Sequence, residues 1–414
     1  MAQSRKDPRG RMLRKGECWR ERDKRYTYTY TDPLGRRKWI YATDLVTLRE
    51  KEKKLIKNQL DGLDLYAAGK ATVNMTFDRY ISSKYDLRDS TRNGYLYTYN
   101  KFVRETFGKK KLIDIKFSDV LQFYLHLVNV DGLALGTLDN VHCVLHPTFE
   151  LAVRDDIIRK NPSDGVMREI SKKSGKNRGI RKALTPAQQR NFMEYIAGHP
   201  IYYHWWPLFT VLLGTGCRIG EAIGLRWDDL DFDNKVISIN HALTYYRSTE
   251  RQQQLMRVSL PKTEAGIRTI PMLDVVKTAF EMEKEQQLDM FGGLNVQVID
   301  GMSNFVFQNK EGRVPNPQTV NDTIHRITES YNSEEILKAK KEKREPELLP
   351  HFSCHHLRHT FATRLCEAES NLKVIQSVMG HRNIETTMDI YAEATDEKKQ
   401  ETFEGLALKM DNLF

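Results

Sequence analysis

The sequence predicts a multidomain fold: a small β-sheet backed by one helix, then an all-α domain, then a larger, mainly helical α+β domain. Three observations lead to this prediction. The 414 residues are too many for one ordinary hydrophobic core. Tyrosines alternate with threonines near the N-terminus, which is the period of a strand. From residue 72 onward apolar residues recur every three to four positions, which is the period of a helix.

The first predicted element is a β-hairpin. The stretch RYTYTYTDPLGRRKWIYA at 25–42 holds two strand-like runs separated by an Asp-Pro-Leu-Gly turn. The sequence Thr47-Leu-Arg-Glu50 has the spacing of a capping box, so a helix is expected to begin there. The sheet and its helix together form a predicted N-terminal module over residues 1–70.

The two faces of this hairpin are expected to differ, because side chains alternate across a strand. The face predicted to pack on the helix carries Tyr26, Tyr28, Tyr30 and Ile40. The face predicted to bind DNA carries Thr27, Thr29, Arg37, Trp39 and Tyr41. Small polar groups surrounded by an arginine and two aromatic rings suit a β-ribbon that enters a major groove. A solvated basic sheet that binds nothing specific is the alternative.

The positive charge of the chain is concentrated in this module. Residues 1–70 contain 19 Lys and Arg against 10 Asp and Glu, a net charge of +9 out of the formal +10 of the whole chain. A polyanionic partner is therefore expected, and the small module is expected to be a main point of contact with it.

Two further segments follow before the last domain. Residues 72–166 show helical spacing throughout and are predicted to form a compact all-α domain. Residues 167–182, which include SKKSGKNRGIRK, are predicted to form a flexible basic linker. Such a linker can follow a phosphate backbone or can serve as a plain tether, and the sequence leaves both open.

The last domain is predicted over 183–394, where helices and short strands mix. KVISIN and TIPML resemble strands, whereas HHLRHTFATRLCEA and NLKVIQSVMG resemble helices. A further helix is expected in the tail, residues 395–414, which carries apolar side chains at Phe403, Leu406, Leu408 and Met410.

Composition excludes several classes of protein. No stretch approaches the ~20 apolar residues of a membrane span, and the N-terminus lacks a signal-peptide apolar region. The five cysteines are scattered without a CxxC pair, which favours a reducing compartment and predicts a cytoplasmic protein. The cysteines and histidines between Cys354 and Cys366 fit no standard ligand spacing, so no metal site is expected.

Six residues of the last domain have side chains that together suit attack on a phosphodiester: Arg218, Lys262, His355, Arg358, His381 and Tyr391. Displacement of an ester oxygen from a DNA phosphate adds negative charge to the non-bridging oxygens, and two arginine forks, Arg218 and Arg358, suit that charge. Glu221, three residues after Arg218, is expected to orient a cation rather than to act as an acid.

The remaining residues of this set supply the nucleophile and the proton transfers. Tyr391 is the expected nucleophile, since a phenol with a pKa of ~10 can attack phosphorus when a base or a cationic field assists it. His355 is the candidate base, and it lies three positions before Arg358, hence on the same helical face. His381 is a candidate hydrogen-bond donor to the phosphate, and Lys262 a candidate acid for the departing 5′ oxygen.

These residues occur in the order TGCRIGE, PKTEAGIRTIP, HHLRHTFAT, Gly-His and Tyr, and in that order residues 183–394 resemble the tyrosine recombinases, the phage-integrase-type family. The 72–166 segment is similar to the core-binding domain of that family. The 1–70 module is similar to the arm-type DNA-binding domain of integrases from conjugative transposons. The resemblance makes 183–394 the catalytic domain.

The resemblance implies an integrase that cuts and rejoins DNA through a 3′-phosphotyrosine during integration and excision of a mobile element. It implies core and arm sites on double-stranded DNA, no cofactor, and a DNA-associated protein of a bacterial cytoplasm. It also implies a homotetramer held by the 395–414 tail, with an excisionase and a host DNA-bending protein as partners. A DNA-relaxing enzyme that cleaves one strand and an inactive DNA-binding regulator are the alternatives.

Overall fold

A computed structural model describes residues 6–31, 37–60, 69–174, 182–248, 253–261, 266–293 and 297–392. The chain divides into two compact units, Met1–Arg178 and Gly179–Phe414. Both are mainly helical and contain small antiparallel sheets, as the sequence predicts. Within the described ranges, none of the helices combines the length and the apolar character that crossing a bilayer requires.

The N-terminal sheet has three antiparallel strands in the order β1-β2-β3: β1 is Glu17–Arg20, β2 is Arg25–Thr31 and β3 is Arg37–Ala42. Helix α1 follows at Leu45–Leu60. It begins earlier than the predicted capping box, because the Asp44 carboxylate accepts hydrogen bonds from the Thr47 backbone N–H (2.8 Å) and hydroxyl (2.6 Å). The expected Asp-Pro-Leu-Gly turn lies outside the described residues.

The two faces of the sheet largely follow the predicted alternation. Tyr26 is buried beside Leu45 and Leu48 of α1, and Tyr28 and Ile40 pack against the same cluster. The Trp39 and Tyr41 side chains on the other face are 54% and 42% exposed.

The position of Thr27 differs from the prediction. Thr27 is only 4% exposed, and its hydroxyl donates to the Cys18 carbonyl oxygen at 3.3 Å. The reason is the pairing of β1 with β2, which sets Cys18 opposite Thr27. Strand β1 was not predicted from the sequence, so the prediction that Thr27 contacts DNA took its side chain to be exposed, whereas the structure buries it.

A bundle of helices makes up the rest of the first unit. Its helices are α2 at Val73–Ser83, α3 at Asp89–Phe102, α4 at Phe117–Asn129, α5 at Leu135–Arg154 and α6 at Val166–Ser174. Large side chains that the solvent does not reach fill its core, including Phe77, Tyr99, Tyr124, Leu138 and Phe149.

Helix α6 corrects the predicted linker. The segment 167–182 was expected to be flexible, but α6 occupies it as far as Ser174. Val166 and Ile170, which lie four positions apart on one helical face, are buried in the core of the bundle. Burial of these two side chains explains why a strongly basic segment is helical. Residues 175–181 lie outside the described residues.

The second unit combines helices with two small sheets. Its helices are α7 at Pro186–Gly198, α8 at Trp206–Thr215, α9 at Ile219–Ala222, α10 at Asp274–Phe291, α11 at Pro317–Glu342, α12 at Cys354–Ala368, α13 at Leu372–Met379 and α14 at 384–392. Its strands are β4 at Leu230–Asp231, β5 at Val236–Ile239, β6 at Ala242–Arg247, β7 at Gln254–Ser259 and β8 at Arg268–Pro271. Strands β4-β5-β8 form one antiparallel sheet, and β6-β7 form a hairpin.

Helix α8 is the buried centre of this unit. Phe209, Val211 and Leu212 have no exposed surface. The helix ends at Gly216, whose φ of +62° is a left-handed conformation that favours glycine. A Cβ at Gly216 would lie 2.3 Å from the Phe361 ring, so only glycine allows α12 to approach this closely. The turn delivers Arg218 to the start of α9.

Candidate active site

Three arginines meet at the C-terminal end of α13. Their guanidinium groups donate to three consecutive backbone carbonyls: Arg268 Nε to Val378 (2.8 Å), Arg358 Nη2 to Met379 (2.6 Å) and Arg218 Nη2 to Gly380 (3.4 Å). The last carbonyls of a helix lack partners within the helix and carry the negative end of its dipole. The end of α13 therefore holds together three like charges that come from β8, α12 and the start of α9.

Gly380 makes this close approach possible. Its φ of +60° ends α13 in the left-handed conformation. A Cβ at this position would lie 3.0 Å from Arg268 Nη1, so a side chain would press on the buried guanidinium. The glycine also turns the chain so that His381 follows directly after the carbonyls that bind the arginines.

A buried carboxylate neutralises part of this positive charge. Glu221 accepts hydrogen bonds from Arg218 Nη1 (2.8 Å), from the Arg218 backbone N–H (2.9 Å) and from Arg268 Nη2 (2.9 Å). Burial by itself would raise the pKa of Glu221, but the hydrogen bond and charge of Arg268, together with Arg218, lower that pKa to about 2. The expectation that Glu221 orients a cation is confirmed, and it orients two.

Arg358 is the most enclosed of the predicted catalytic residues that the structure describes. Its side chain is buried at 5% exposure, and Nη1 donates to the Gly216 carbonyl at 2.6 Å. Burial and then the charge of Arg218 lower the pKa of Arg358 to about 10, so the guanidinium remains protonated at neutral pH. His355, one helical turn earlier on α12, is exposed at the surface of the unit.

His381 lies beside the arginines in a neutral form. Its imidazole is 9% exposed, and Nδ1 lies 3.0 Å from the Thr387 hydroxyl oxygen on α14. Burial lowers the pKa of His381 to about 4, with further contributions from Arg358, Arg218 and Arg268. At neutral pH the ring therefore carries one proton and can donate from one nitrogen only.

Tyr391 is placed by its helix. The ring is half-buried on α14 and packs against a small apolar cluster from α12 and α13. Packing thus anchors the tyrosine beside the helices that carry Arg358 and precede His381. Lys262 lies outside the described residues, in the connection between β7 and β8, and the 395–414 tail lies outside them too.

Two residues of this site were not among the sequence-predicted ones. Arg268 appeared in the sequence only as a neighbour of Lys262. A signal was present, because Arg268 and Ile270 share the buried face of β8, and a charged residue on such a face needs a buried partner. Thr387 lies four positions before Tyr391, on the same side of α14. This spacing could have identified Thr387 as a neighbour of the expected nucleophile.

The arrangement is suited to hold an oxyanion. Three guanidiniums and one carboxylate leave a local charge of two positive units, and a neutral imidazole adds a donor. In the part of the chain that the structure describes, no group of His, Cys, Asp and Glu could hold a metal ion.

Comparison with known protein families shows which family has this site. Residues 182–398, more than half of the chain, match the phage integrase family. The chain belongs to the phage integrase family. Residues 1–59 match a second family described as the DNA binding domain of Tn916 integrase. The transposase from transposon Tn916 of Enterococcus faecalis is 30% identical over 408 residues, 95% of each chain.

Other relatives agree with this assignment. The ICEBs1 integrase of Bacillus subtilis is 24% identical over 318 residues, which cover 77% of this chain and 76% of the relative. The structure of the Tn1549 transposon integrase in complex with transposon right end DNA is 31% identical, with a TM-score of 0.68. That match covers 81% of this chain and all of the compared structure.

The predicted family and the predicted activity are confirmed. The chain is a tyrosine recombinase that resembles the integrases of conjugative transposons, a DNA-binding enzyme that cuts and rejoins DNA when a mobile element integrates and excises. This result favours the recombinase over the DNA-relaxing enzyme and the inactive regulator.

Proposed function

We propose that Tyr391 attacks the scissile phosphodiester while Arg218 and Arg358 bind its two non-bridging oxygens. The Tyr391 Oη–phosphorus bond forms and the phosphorus–O5′ bond breaks. The product is a 3′-phosphotyrosine and a free 5′ hydroxyl. The observation that carries this proposal is the gathering of three guanidinium groups at the end of α13.

The charge of the site supports this step. The phosphodiester carries one negative charge and gains a second as phosphorus becomes five-coordinate. Arg218, Arg268 and Arg358 with Glu221 leave two net positive charges. The site is thus matched in charge to the transition state rather than to the ground state. Because α13 already fixes the guanidiniums, little reorganisation is needed when the charge develops.

The proton transfers need two further groups. The proton of the Tyr391 hydroxyl passes to His355, whose exposed position on α12 allows exchange with solvent. Lys262 protonates the departing O5′. His381, neutral beside three arginines, donates one hydrogen bond to the phosphate. Rejoining is the same step in reverse, with the 5′ hydroxyl of a partner strand as the nucleophile, and the ester linkage conserves the bond energy.

The domain layout that we propose gives each segment a place on DNA. Residues 72–166 bind the core site together with the catalytic domain, 183–394, and the 1–70 module binds arm-type sites. The exposed Arg37, Trp39 and Tyr41, with Thr29, supply the contacts of that module. The match of residues 1–59 to a DNA-binding family supports this assignment. The Tn1549 integrase, whose structures hold transposon right end DNA and circular intermediate DNA, supports DNA binding by the segments that follow this module.

The assembly that we propose is a tetramer on DNA. Residues 395–414 would dock on a neighbouring subunit through Phe403, Leu406, Leu408 and Met410. An excisionase and a host DNA-bending protein would set the direction of the reaction. The chemical step makes no use of a cofactor, because the arginines supply the positive charge that a metal ion would otherwise provide.

The test is covalent capture. A core-site duplex with a nick next to the cleavage position releases a short fragment, so the phosphotyrosine accumulates and appears as a shifted band on a denaturing gel. We expect Tyr391→Phe to bind this duplex normally and to give no band, because only the attacking oxygen is lost. Tyr203→Phe, which alters an exposed tyrosine of the same unit, should give the normal band. A covalent band from Tyr391→Phe would assign the nucleophile to another residue.

A further inference from the structure

Thr387 links the histidine of the site to the helix of the nucleophile. It has no exposed surface, and its hydroxyl oxygen lies 3.0 Å from His381 Nδ1. Thr387 and Tyr391 are four positions apart on α14, so they share one face of that helix. Among the residues that the structure describes, Thr387 is the side chain that contacts the His381 ring through a hydrogen bond.

The direction of this hydrogen bond decides what His381 can do. A neutral imidazole has one N–H and one acceptor nitrogen. If Nδ1 carried the proton, it would donate to the Thr387 hydroxyl, and Nε2 would be an acceptor that repels a phosphate oxygen. If the Thr387 hydroxyl donates to Nδ1, the proton must be on Nε2, which can then donate to the phosphate. The partner of one ring nitrogen thus sets the role of the other.

The electrostatic surroundings limit His381 to one N–H at neutral pH. Among the described residues, the charged groups that act most strongly on His381 are Arg358 on α12, Arg218 at the start of α9 and Arg268 on β8, which disfavour its protonation, and the acid Glu221, which favours it. Three cations oppose protonation of the ring. His381 therefore cannot obtain a second N–H by becoming an imidazolium at neutral pH, and its one proton has to be on the nitrogen that meets the substrate.

We propose that Thr387 is a positioning residue that donates its hydroxyl proton to His381 Nδ1 and so fixes the tautomer in which Nε2–H binds the scissile phosphate. This inference rests on the proposed role of His381 at the phosphate. The hydrogen bond also couples the tautomer of His381 to the position of Tyr391. Because Thr387 and Tyr391 belong to the same helix, the histidine is held in its donor form when α14 is seated with the nucleophile in place.

Two variants of Thr387 test the proposal. Thr387→Val keeps the shape of the side chain and removes the donor, whereas Thr387→Ser keeps the donor. On the nicked core-site duplex under single-turnover conditions, we expect Thr387→Val to cleave about 10- to 100-fold more slowly than the wild type, by analogy with lost hydrogen-bond partners of metal-binding histidines. Thr387→Ser should cleave at close to the wild-type rate, because it keeps the hydroxyl donor. Gel shift should give equal DNA binding for all three proteins.

A double variant separates positioning from a purely structural role. If Thr387 acts through the imidazole, His381→Ala with Thr387→Val should cleave no more slowly than His381→Ala alone. If Thr387 only stabilises α14, the two losses should multiply, and the proposal would be overturned. A wild-type rate for Thr387→Val would overturn it as well. Neither result affects the proposed nucleophile, whose test is the loss of the covalent band in Tyr391→Phe.

The pH dependence of the defect is a third measurement. An imidazolium carries protons on both nitrogens, so Nε2 can donate without help from Thr387. The rate ratio of wild type to Thr387→Val should therefore shrink as the pH falls and the ring becomes protonated in the DNA complex. A ratio that stays constant while the cleavage rates themselves change with pH would show that Thr387 does not control the tautomer.

Discussion

Replacement of Glu221 by Gln tests the electrostatic design of the site most directly. The variant keeps the size of the side chain and removes the negative charge that lies between Arg218 and Arg268. In the folded protein the pKa of Glu221 is lowered from 4.5 to about 2. A shift of this size corresponds to about 3 kcal/mol of stability at neutral pH. The amide also leaves a buried guanidinium without its counter-ion, which is costly.

The sign of the pH dependence follows from the direction of the shift. A carboxylate whose pKa is lower in the folded state stabilises the fold above its unfolded pKa of 4.5, and this contribution is lost as the pH falls through the folded pKa of about 2. At pH 3 roughly half of the ~3 kcal/mol should remain. The difference between wild type and Glu221→Gln should therefore be largest at neutral pH and should shrink between about pH 4.5 and 2.

Urea unfolding measured by tryptophan fluorescence is a suitable assay, because Trp205, Trp206 and Trp227 belong to the second unit. Asp274→Asn is the matched control. Asp274 also pairs with a cation, Lys235, but both side chains are largely exposed, so its loss should cost less than about 1 kcal/mol.

Two results would refute the reasoning. The first is a Glu221→Gln protein that unfolds at the same urea concentration as the wild type at pH 7. The second is a difference between the two proteins that stays constant as the pH falls to 3. Either result would mean that the guanidiniums at the end of α13 do not depend on this carboxylate.

Three other predictions concern residues outside the cluster of arginines. Lys262→Ala should slow the cleavage of ordinary DNA but spare a substrate whose 5′-bridging oxygen is sulfur, because a thiolate leaves without a proton; equal losses on both substrates would remove Lys262 from the acid role. Deletion of residues 1–70 should abolish recombination of long substrates but leave cleavage of the nicked core site nearly intact. It should also make DNA binding less dependent on salt: the slope of log binding constant against log salt concentration should fall by ~0.9 per lost phosphate contact. Alanine at Arg37 and Trp39 together should reproduce much of this loss in gel shifts with arm-site duplexes, and unchanged arm binding would leave the sheet as a solvated surface.

The sequence by itself determined the family, the order of the segments and the residues proposed for the chemistry. These features are local. The spacing of His355 and Arg358 is one helical turn, the alternation around Tyr28 is the period of a strand, and the Thr-Gly turn before Arg218 is a short motif. Each of these patterns depends on residues within a few positions of one another, so the sequence alone shows it.

Only the tertiary structure decided how the site is held together. Arg268 meets Glu221 from 47 positions away, and Arg358 reaches the Gly216 carbonyl from 142 positions away. The pairing of β1 that buries Thr27 and the packing that makes α6 helical are likewise contacts between separate elements. Such contacts depend on which surfaces the fold brings together, and no local period encodes them. The sequence could therefore name Arg218 and Arg358, but only the fold shows that one helix end and one buried carboxylate hold the cluster together with Arg268.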